Sequence, residues 1–167
     1  EANSISLMPA FTSSTDLHLT STNCLLDNQG APVAGITTDI DGATRDVTTP
    51  DIGADEFSAS LNTTLAGIAG TAVCAYRTVS ASGTTFSSNT CDLIAKVASS
   101  GADPVAGKVN ACVTLDATQQ YFNAEPFVQR HYDIEPLTSN TTTTSATITL
   151  YFTDAEFANF NTNNPAW

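Results

Sequence analysis

The segment LIAKVASSGADPVAGKVNACVTL, residues 93–115, decides the fold class of this chain. Two alternating apolar–polar runs flank a loop that contains Gly101, Pro104 and Gly107. Side chains on a strand point alternately to opposite faces, so each run predicts a strand with one apolar face. The apolar residues are Leu93, Ala95 and Val97 in the first run, and Val109, Ala111, Val113 and Leu115 in the second. The segment therefore predicts two strands joined as a hairpin in an all-β domain.

The preceding segment, VCAYRTVSASGTTF at residues 73–86, shows alternation around a two-residue turn at Ser82-Gly83. A hairpin closed there places Cys74 opposite Cys91, at a non-hydrogen-bonded position where cross-strand side chains approach most closely. We therefore predict a Cys74–Cys91 disulfide in preference to Cys91–Cys112, which would put the apolar rows of 93–115 on opposite faces of the hairpin unless a bulge intervened. The chain has four cysteines, so three complete pairings stay open.

Two more segments have strand character, PFVQRHYDI at 126–134 and SATITLYF at 145–152. Several strands separated by turn residues are typical of a two-sheet β domain. Residues 60–167 are therefore predicted to form an immunoglobulin-like antiparallel β-sandwich.

A short C-terminal helix follows the last predicted strand. Thr153, with Glu156 three residues later, matches a capping box, which marks a helix N-terminus. Phe157 and Phe160 share one helical face and are expected to dock on the sheet.

Composition narrows the possible partners. The 15 Ser and 27 Thr make up about a quarter of the chain and favour strands and turns over helices. The net charge is −12, with only five Lys and Arg, so the chain lacks the clustered basic residues that bind nucleic acid. No apolar run approaches the eighteen residues of a transmembrane helix. Neither nucleic acid nor a membrane span is expected.

The acidic segment TTPDIGADEF, residues 48–57, allows two interpretations. Asp51, Asp55 and Glu56 are potential catalytic or metal-binding groups. Pro50 and Gly53 instead favour a backbone turn, and acidic side chains at an exposed strand edge prevent edge-to-edge pairing. We favour the second interpretation, in which the segment ends a stacked scaffold.

The N-terminal third resembles the closing segment of secreted right-handed parallel β-helix proteins of the choice-of-anchor type. The matching motifs are LHLTSTNCLLDNQG (17–30), TTDIDGATRD (37–46) and PDIGADEF (50–57). The resemblance implies that residues 1–59 are the end of a parallel β-helix, or a segment capping it.

The second half is similar to a module of large cell-surface or secreted proteins of Bacteroidetes-type bacteria. The motifs are CDLIAKV (91–97), VQRHYDIEP (128–136) and TLYFTDAEFANFN (149–161). The resemblance implies an extracellular or cell-surface location in a secreted bacterial protein, and it assigns no catalytic activity.

Asp39 and Asp41, which precede Gly42, are weak candidates for calcium ligands. An EF-hand loop requires further oxygen ligands and a distal Glu that this segment lacks. A turn in which Arg45 neutralises Asp39 or Asp41 is favoured. No other cofactor is expected.

The two histidines, His18 and His131, have no zinc-site spacing and are interpreted as structural or surface residues. Arg130 and Tyr132 share one face of a predicted strand, and with Tyr151 they are possible glycan contacts. Cross-strand packing is the favoured role for this set.

No nucleophile elbow, phosphate loop or His-Glu zinc motif is present, so the chain is not expected to be an enzyme. The predicted function is that of an extracellular structural or adhesion module, which caps, spaces or anchors the remainder of a larger polypeptide. The alternative is a carbohydrate-binding module for extracellular polysaccharide, accessory to an upstream lyase or hydrolase.

Overall fold

A computed structural model of the chain describes residues 7–67, 69–137 and 143–165. Within these ranges the chain forms eight strands and one helix, and none of its helices is long and apolar enough to cross a membrane. The predicted all-β class with a short C-terminal helix is confirmed. The elements are β1 (Val73–Thr78), β2 (Thr84–Ser87), β3 (Leu93–Ser99), β4 (Lys108–Leu115), β5 (Gln120–Phe122), β6 (Glu125–Phe127), β7 (Arg130–Pro136), β8 (Ala146–Leu150) and α1 (Asp154–Asn163).

The chain divides into two compact units. Unit 1 comprises Glu1–Leu61 and Asn89–Cys91, and unit 2 comprises Asn62–Ser88 and Asp92–Trp167. All the strands and the helix described above belong to unit 2.

Unit 2 contains two three-stranded antiparallel sheets that share one apolar core. Their strand orders are β1-β4-β7 and β2-β3-β8. Phe86 and Val97 of one sheet belong to the same buried cluster as Val109 and Val113 of the other. The alternation predicted for β4 is confirmed, because Val109, Ala111 and Val113 are fully buried.

The predicted hairpins are wrong, although the turn at Ser82-Gly83 is present. The N–H of Gly83 donates to the carbonyl of Ser80 at 3.1 Å, and Gly83 has a φ of 93°. However, β1 pairs with β4 whereas β2 pairs with β3, so this turn carries the chain from one sheet to the other. The loop between β3 and β4 does the same. Alternation identifies a buried face, but it does not decide whether the next strand lies beside the first or across the core from it.

The predicted Cys74–Cys91 disulfide is also wrong. Cys74 is the register partner of Cys112 across β1 and β4, and these two cysteines are bonded. Cys91 is bonded to Cys24 within unit 1. The prediction failed because it depended on β1 pairing with β2.

The strand order also differs from that of immunoglobulin constant domains. In those domains the first two strands lie in the same sheet. Here β1 and β2 lie in different sheets. Unit 2 therefore shares a two-sheet antiparallel architecture with such domains, without their strand order.

The helix α1 starts as predicted and is held by polar contacts. The Thr153 side chain accepts from the N–H of Glu156, and the Glu156 carboxylate accepts from the N–H of Thr153, which confirms the capping box. No residue of the helix is buried. Phe157 contacts Phe152 with ring centroids 5.3 Å apart but stays nearly half exposed, and Phe160 is half-buried, so the two phenylalanines are less buried than the predicted docking requires.

Unit 1 is irregular. Its described part, residues 7–61, contains no regular strand, and its two isolated bridges, Phe11 to Leu19 and Thr38 to Thr44, are antiparallel. A parallel β-helix segment is therefore not shown in these residues. The backbone is close-packed at Gly30, where an added Cβ would lie 2.6 Å from the carbonyl oxygen of Pro50.

Candidate functional site

The acidic residues of segment 48–57 bind backbone amides. Asp51 is buried, and its carboxylate accepts from the N–H groups of Asn28 at 2.6 Å and Phe57 at 2.7 Å. Burial raises the pKa of Asp51, and the two amide bonds oppose that shift. Buried Asp55 accepts from the N–H of Leu19 at 2.8 Å. These two carboxylates thus accept hydrogen bonds from backbone N–H groups on distant parts of unit 1. In a sheet, the carbonyls of a neighbouring strand would accept those bonds.

Glu56 extends this pattern and forms an ion pair. Its two oxygens accept from the N–H groups of Asp46 and Asp51 at 3.1 and 3.2 Å. Arg45 lies 3.5 Å from Glu56 and donates to the carbonyls of Gly53 and Asp51. The prediction that Arg45 neutralises Asp39 or Asp41 is therefore wrong, because its partner is the acidic segment itself.

The two candidate calcium ligands have different surroundings. One oxygen of Asp39 accepts from the N–H groups of Asp41 and Ala43, and the other accepts from the N–H of Glu56. Desolvation raises the pKa of Asp39, but these amide bonds outweigh it and the net pKa is lowered. Asp39 therefore fixes the turn. The Asp41 carboxylate instead points to His18, with 2.8 Å between Oδ2 and Nε2.

His18 lies between two carboxylates. Its Nδ1 bonds to Oδ1 of Asp16, and its Nε2 faces Asp41. The hydrogen bond to Asp16, followed by the negative charges of Asp41 and Asp16, raises the pKa of His18. The bond to His18 correspondingly lowers the pKa of Asp16. His18, Asp41 and Asp55 each place one ligand atom within 4.8 Å of the others.

The sequence interpretation missed this arrangement because it treated His18 in isolation. The alternation Asp16-Leu17-His18 gave a signal, since residues two apart on an extended chain share a face. Nothing in the sequence indicated that Asp41 and Asp55 would reach the same place.

The structure does not bring the possible glycan contacts to an exposed face. Arg130 is 5% exposed, pairs with Glu156 at 2.8 Å and donates to the carbonyl of Ala66. The Tyr132 hydroxyl donates to the carbonyl of Tyr151, and burial raises the pKa of Tyr132. These contacts anchor β7 to its neighbours, in line with the packing role favoured from the sequence.

Unit 2 also contains an apolar pocket of about 240 Å³, which offers no acid or base. Its lining residues are Val97, Val105, Val109, Ile134, Pro136, Thr144, Ser145, Ala146 and Ile148. None of these side chains titrates near neutral pH, so the pocket lacks groups for proton transfer.

Comparison with known proteins identifies no relative: no family model, curated protein or solved structure matches the chain. Function therefore has to be argued from the residues themselves.

Proposed function

We propose that this chain is a non-catalytic structural module of an extracellular protein, and that unit 1 packs against the remainder of the same, larger polypeptide. The observation that carries the proposal is the unusual distribution of apolar side chains in unit 1. Among its described residues, only Cys24, Leu26, Pro50 and Cys91 are buried and apolar. Asn23, Asp51 and Asp55 share that interior.

The large apolar side chains of unit 1 are instead mostly exposed. Met8 is 92% exposed and Val47 is 82% exposed. Exposed aliphatic side chains in such numbers favour a protein contact, because covering them removes apolar area from water. Among the described residues of unit 1, the exposed large apolar side chains are Met8, Phe11, Leu17, Val33, Ile36, Ile40, Val47 and Leu61.

The chemistry of segment 48–57 supports a structural role. Asp51, Asp55 and Glu56 all accept from backbone N–H groups, and Glu56 also pairs with Arg45. Groups engaged in this way are held in place for folding, and a substrate would have to displace those bonds.

The extracellular assignment is supported by the disulfides. The four cysteines form two bonds, and none is free. Structural disulfides persist in oxidising compartments and are rare in the cytosol.

The finer assignments belong to the same proposal. Unit 1 would cap the last coil of a stacked β-helix, and its exposed aliphatic side chains would be covered by that coil. Unit 2 would be a spacer at the cell surface that resembles immunoglobulin domains in its two packed sheets but not in its strand order. The motifs in 17–57 support the first assignment, and the two sheets sharing a core support the second.

An antibody raised against the chain tests the proposal in the source organism. We expect it to detect a polypeptide heavier than 17.4 kDa in the medium or at the cell surface. Detection in the cytoplasm, or only at 17.4 kDa, would contradict the proposal, as would specific retention on a polysaccharide affinity gel.

A substitution then tests the contact surface. Ile36→Asp should leave the unfolding of the isolated 167-residue chain unchanged, because Ile36 is already exposed. In the larger polypeptide it should lower the melting temperature. Tyr76→Asp, at an exposed aromatic of unit 2, is the control and should have equal effects in both. Equal effects of Ile36→Asp in both would contradict the contact.

A further inference from the structure

We propose that unit 1 carries a binding site for one transition-metal dication of the zinc class, ligated by His18, Asp41 and Asp55. The three residues come from separate segments of unit 1, and their ligand atoms lie within 4.8 Å of one another. An imidazole nitrogen and two carboxylate oxygens form a donor set that zinc accepts. The inference rests on this cluster alone and stands or falls separately from the structural role proposed above.

The imidazole is oriented in the way that metal-ligating histidines usually are. Asp16 bonds to Nδ1 and also accepts from the backbone N–H of His18 at 3.2 Å. A carboxylate on one ring nitrogen fixes the tautomer and directs the lone pair of the other toward a metal. Asp16 is therefore assigned as the positioning residue, and Nε2 as the ligand atom.

The surroundings of Nε2 also indicate a ligand. This atom is buried, and within the described residues it makes no hydrogen bond of normal geometry, although Oδ2 of Asp41 is only 2.8 Å away. A buried polar atom without a hydrogen bond is costly and needs an explanation. Two ligand atoms turned toward a shared cation supply one.

The carboxylates are positioned by backbone bonds that need no metal. The N–H of Ile40 donates to the carbonyl of Ala54 at 3.0 Å, which holds the turn carrying Asp41 beside Asp55. Asp55 is more than nine-tenths buried, and one of its oxygens accepts from Leu19. The Asp41 side chain is mostly exposed, and its Oδ2 lies 2.8 Å from Nε2 of His18.

The local charge favours a cation. Within the described residues, neither Asp41 nor Asp55 forms an ion pair with a Lys or Arg. Arg45 is engaged by Glu56 and two carbonyls. A dication would therefore offset carboxylate charge that no Lys or Arg side chain neutralises, and His18 is the one basic side chain that faces it in the described residues.

The donor set selects the class of ion. Calcium and magnesium take oxygen ligands, calcium needing six to eight of them, whereas imidazole suits zinc and its first-row neighbours. Three protein ligands leave at least one position for water, which the partial exposure of His18 and Asp41 permits. Such an ion would link three separate segments of a unit that has little apolar interior.

Calorimetric titration of zinc chloride into tag-free, chelator-treated chain tests the site. We expect one ion per chain, with the Kd at least tenfold weaker in both His18→Ala and Asp41→Asn. Within the part of the chain that the structure describes, the Asp41 carboxylate accepts no backbone bond, so Asp41→Asn should leave the fold unchanged. His131→Ala is a matched control, because His131 is similarly exposed and pairs with Asp116 but has no third ligand. It should bind zinc like the wild type.

Cobalt chloride supplies a second readout. A visible absorption band from bound cobalt should disappear in His18→Ala and persist in His131→Ala. The proposal is overturned if the wild type binds no zinc below millimolar concentration, or if His18→Ala and Asp41→Asn bind as the wild type does. It is equally overturned if His131→Ala loses binding too, or if calcium chloride competes with zinc at equal concentration.

Discussion

Unit 1 and unit 2 satisfy the same physical requirements by different means. Unit 2 pairs its backbone in two sheets and buries an apolar cluster centred on Phe86, Val97, Val109 and Val113. Unit 1 has no regular strand in its described part and satisfies backbone donors with carboxylates such as Asp51. Its interior contains nearly as many polar as apolar residues.

The difference shows how a segment can be well defined without a sizeable core. Side-chain carboxylates can replace the carbonyls of a sheet as acceptors, and charge-assisted bonds to amides are stronger than neutral ones. They do not supply the apolar burial that offsets conformational entropy. A disulfide, an apolar partner or a bound ion must then contribute to the stability of such a segment. Unit 1 has the Cys24–Cys91 disulfide, a set of exposed apolar side chains and the candidate metal cluster around His18.

The largest expected difference between the two units comes from removing a large apolar side chain from each of them. Phe86→Ala should destabilise unit 2 by about 3–5 kcal/mol, because Phe86 is fully buried and its loss leaves a cavity. Ile36→Ala, which removes an exposed side chain of unit 1, should have almost no effect in the isolated chain. Hydrogen exchange measured by mass spectrometry resolves the units separately. Similar losses from both substitutions would mean that unit 1 has an apolar core of its own.

The next largest effect concerns the disulfides. Replacing Cys24 and Cys91 by Ala should cost unit 1 about 2–4 kcal/mol by releasing a loop of 67 residues, and its amides should lose protection. The matched pair Cys74→Ala and Cys112→Ala should weaken β1 and β4 while the core keeps unit 2 folded. If unit 1 amides stay protected without Cys24–Cys91, the carboxylate bonds alone are sufficient.

Asp51→Asn tests how much a single carboxylate contributes to the stability of unit 1 through its bonds to backbone amides. The substitution leaves one of two amides, those of Asn28 and Phe57, without its acceptor, so a cost of about 1–3 kcal/mol is expected. Asp133→Asn, at an exposed position of β7, is the control and should be neutral. Unchanged exchange at the amides of Asn28 and Phe57 would show that Asp51 does not hold the turn.

The sequence allowed the strands of unit 2 to be predicted, but not their partners. Alternation in β4 and the capping box at Thr153 depend on neighbouring residues, and both are confirmed. In β3 the predicted alternation fails, because adjacent Ile94 and Ala95 are both fully buried while Leu93 is half-buried. The assignment of β1 and β2 to different sheets depends on packing across the core, which local patterns do not encode. The wrong disulfide followed from that error. The hairpin of β5 and β6 was missed because its turn places Ala124, an unusual residue for positive φ, beside Asn123.

The candidate metal cluster was harder still to predict. Asp16 and His18 are close in sequence, but Asp41 and Asp55 reach them only through bonds such as the one from Ile40 to Ala54. The acidic segment was expected to guard an exposed strand edge, but Asp51 and Asp55 are buried and accept from backbone amides, in a part of the chain without regular strands. The distant amides that these carboxylates bind have no sequence pattern. Where a fold depends on bonds from side chains to the backbone, the sequence identifies the groups that can donate or accept. It does not indicate which donor binds which acceptor.

The smallest expected effect is a pH dependence within unit 1. The N–H of Thr49, and then the hydroxyl and N–H of Thr48, donate to Asp46 and lower its pKa to about 2. Because the folded pKa lies below the unfolded value of 3.8, the stability from Asp46 is fully present above that value. It is lost as the pH falls from there through about 2.

Comparison of Asp46→Asn with the wild type isolates this contribution. The wild type should be the more stable above pH 4, and the difference should shrink steadily as the pH falls toward 2. The carboxyl titration followed by NMR gives the pKa of Asp46 directly. A difference that is constant from pH 5 to pH 2 would mean that the threonine bonds hold Asp46 equally well when it is protonated. The hydrogen bonds from amides to Asp46 would then depend on the geometry of the turn and not on the charge of the carboxylate.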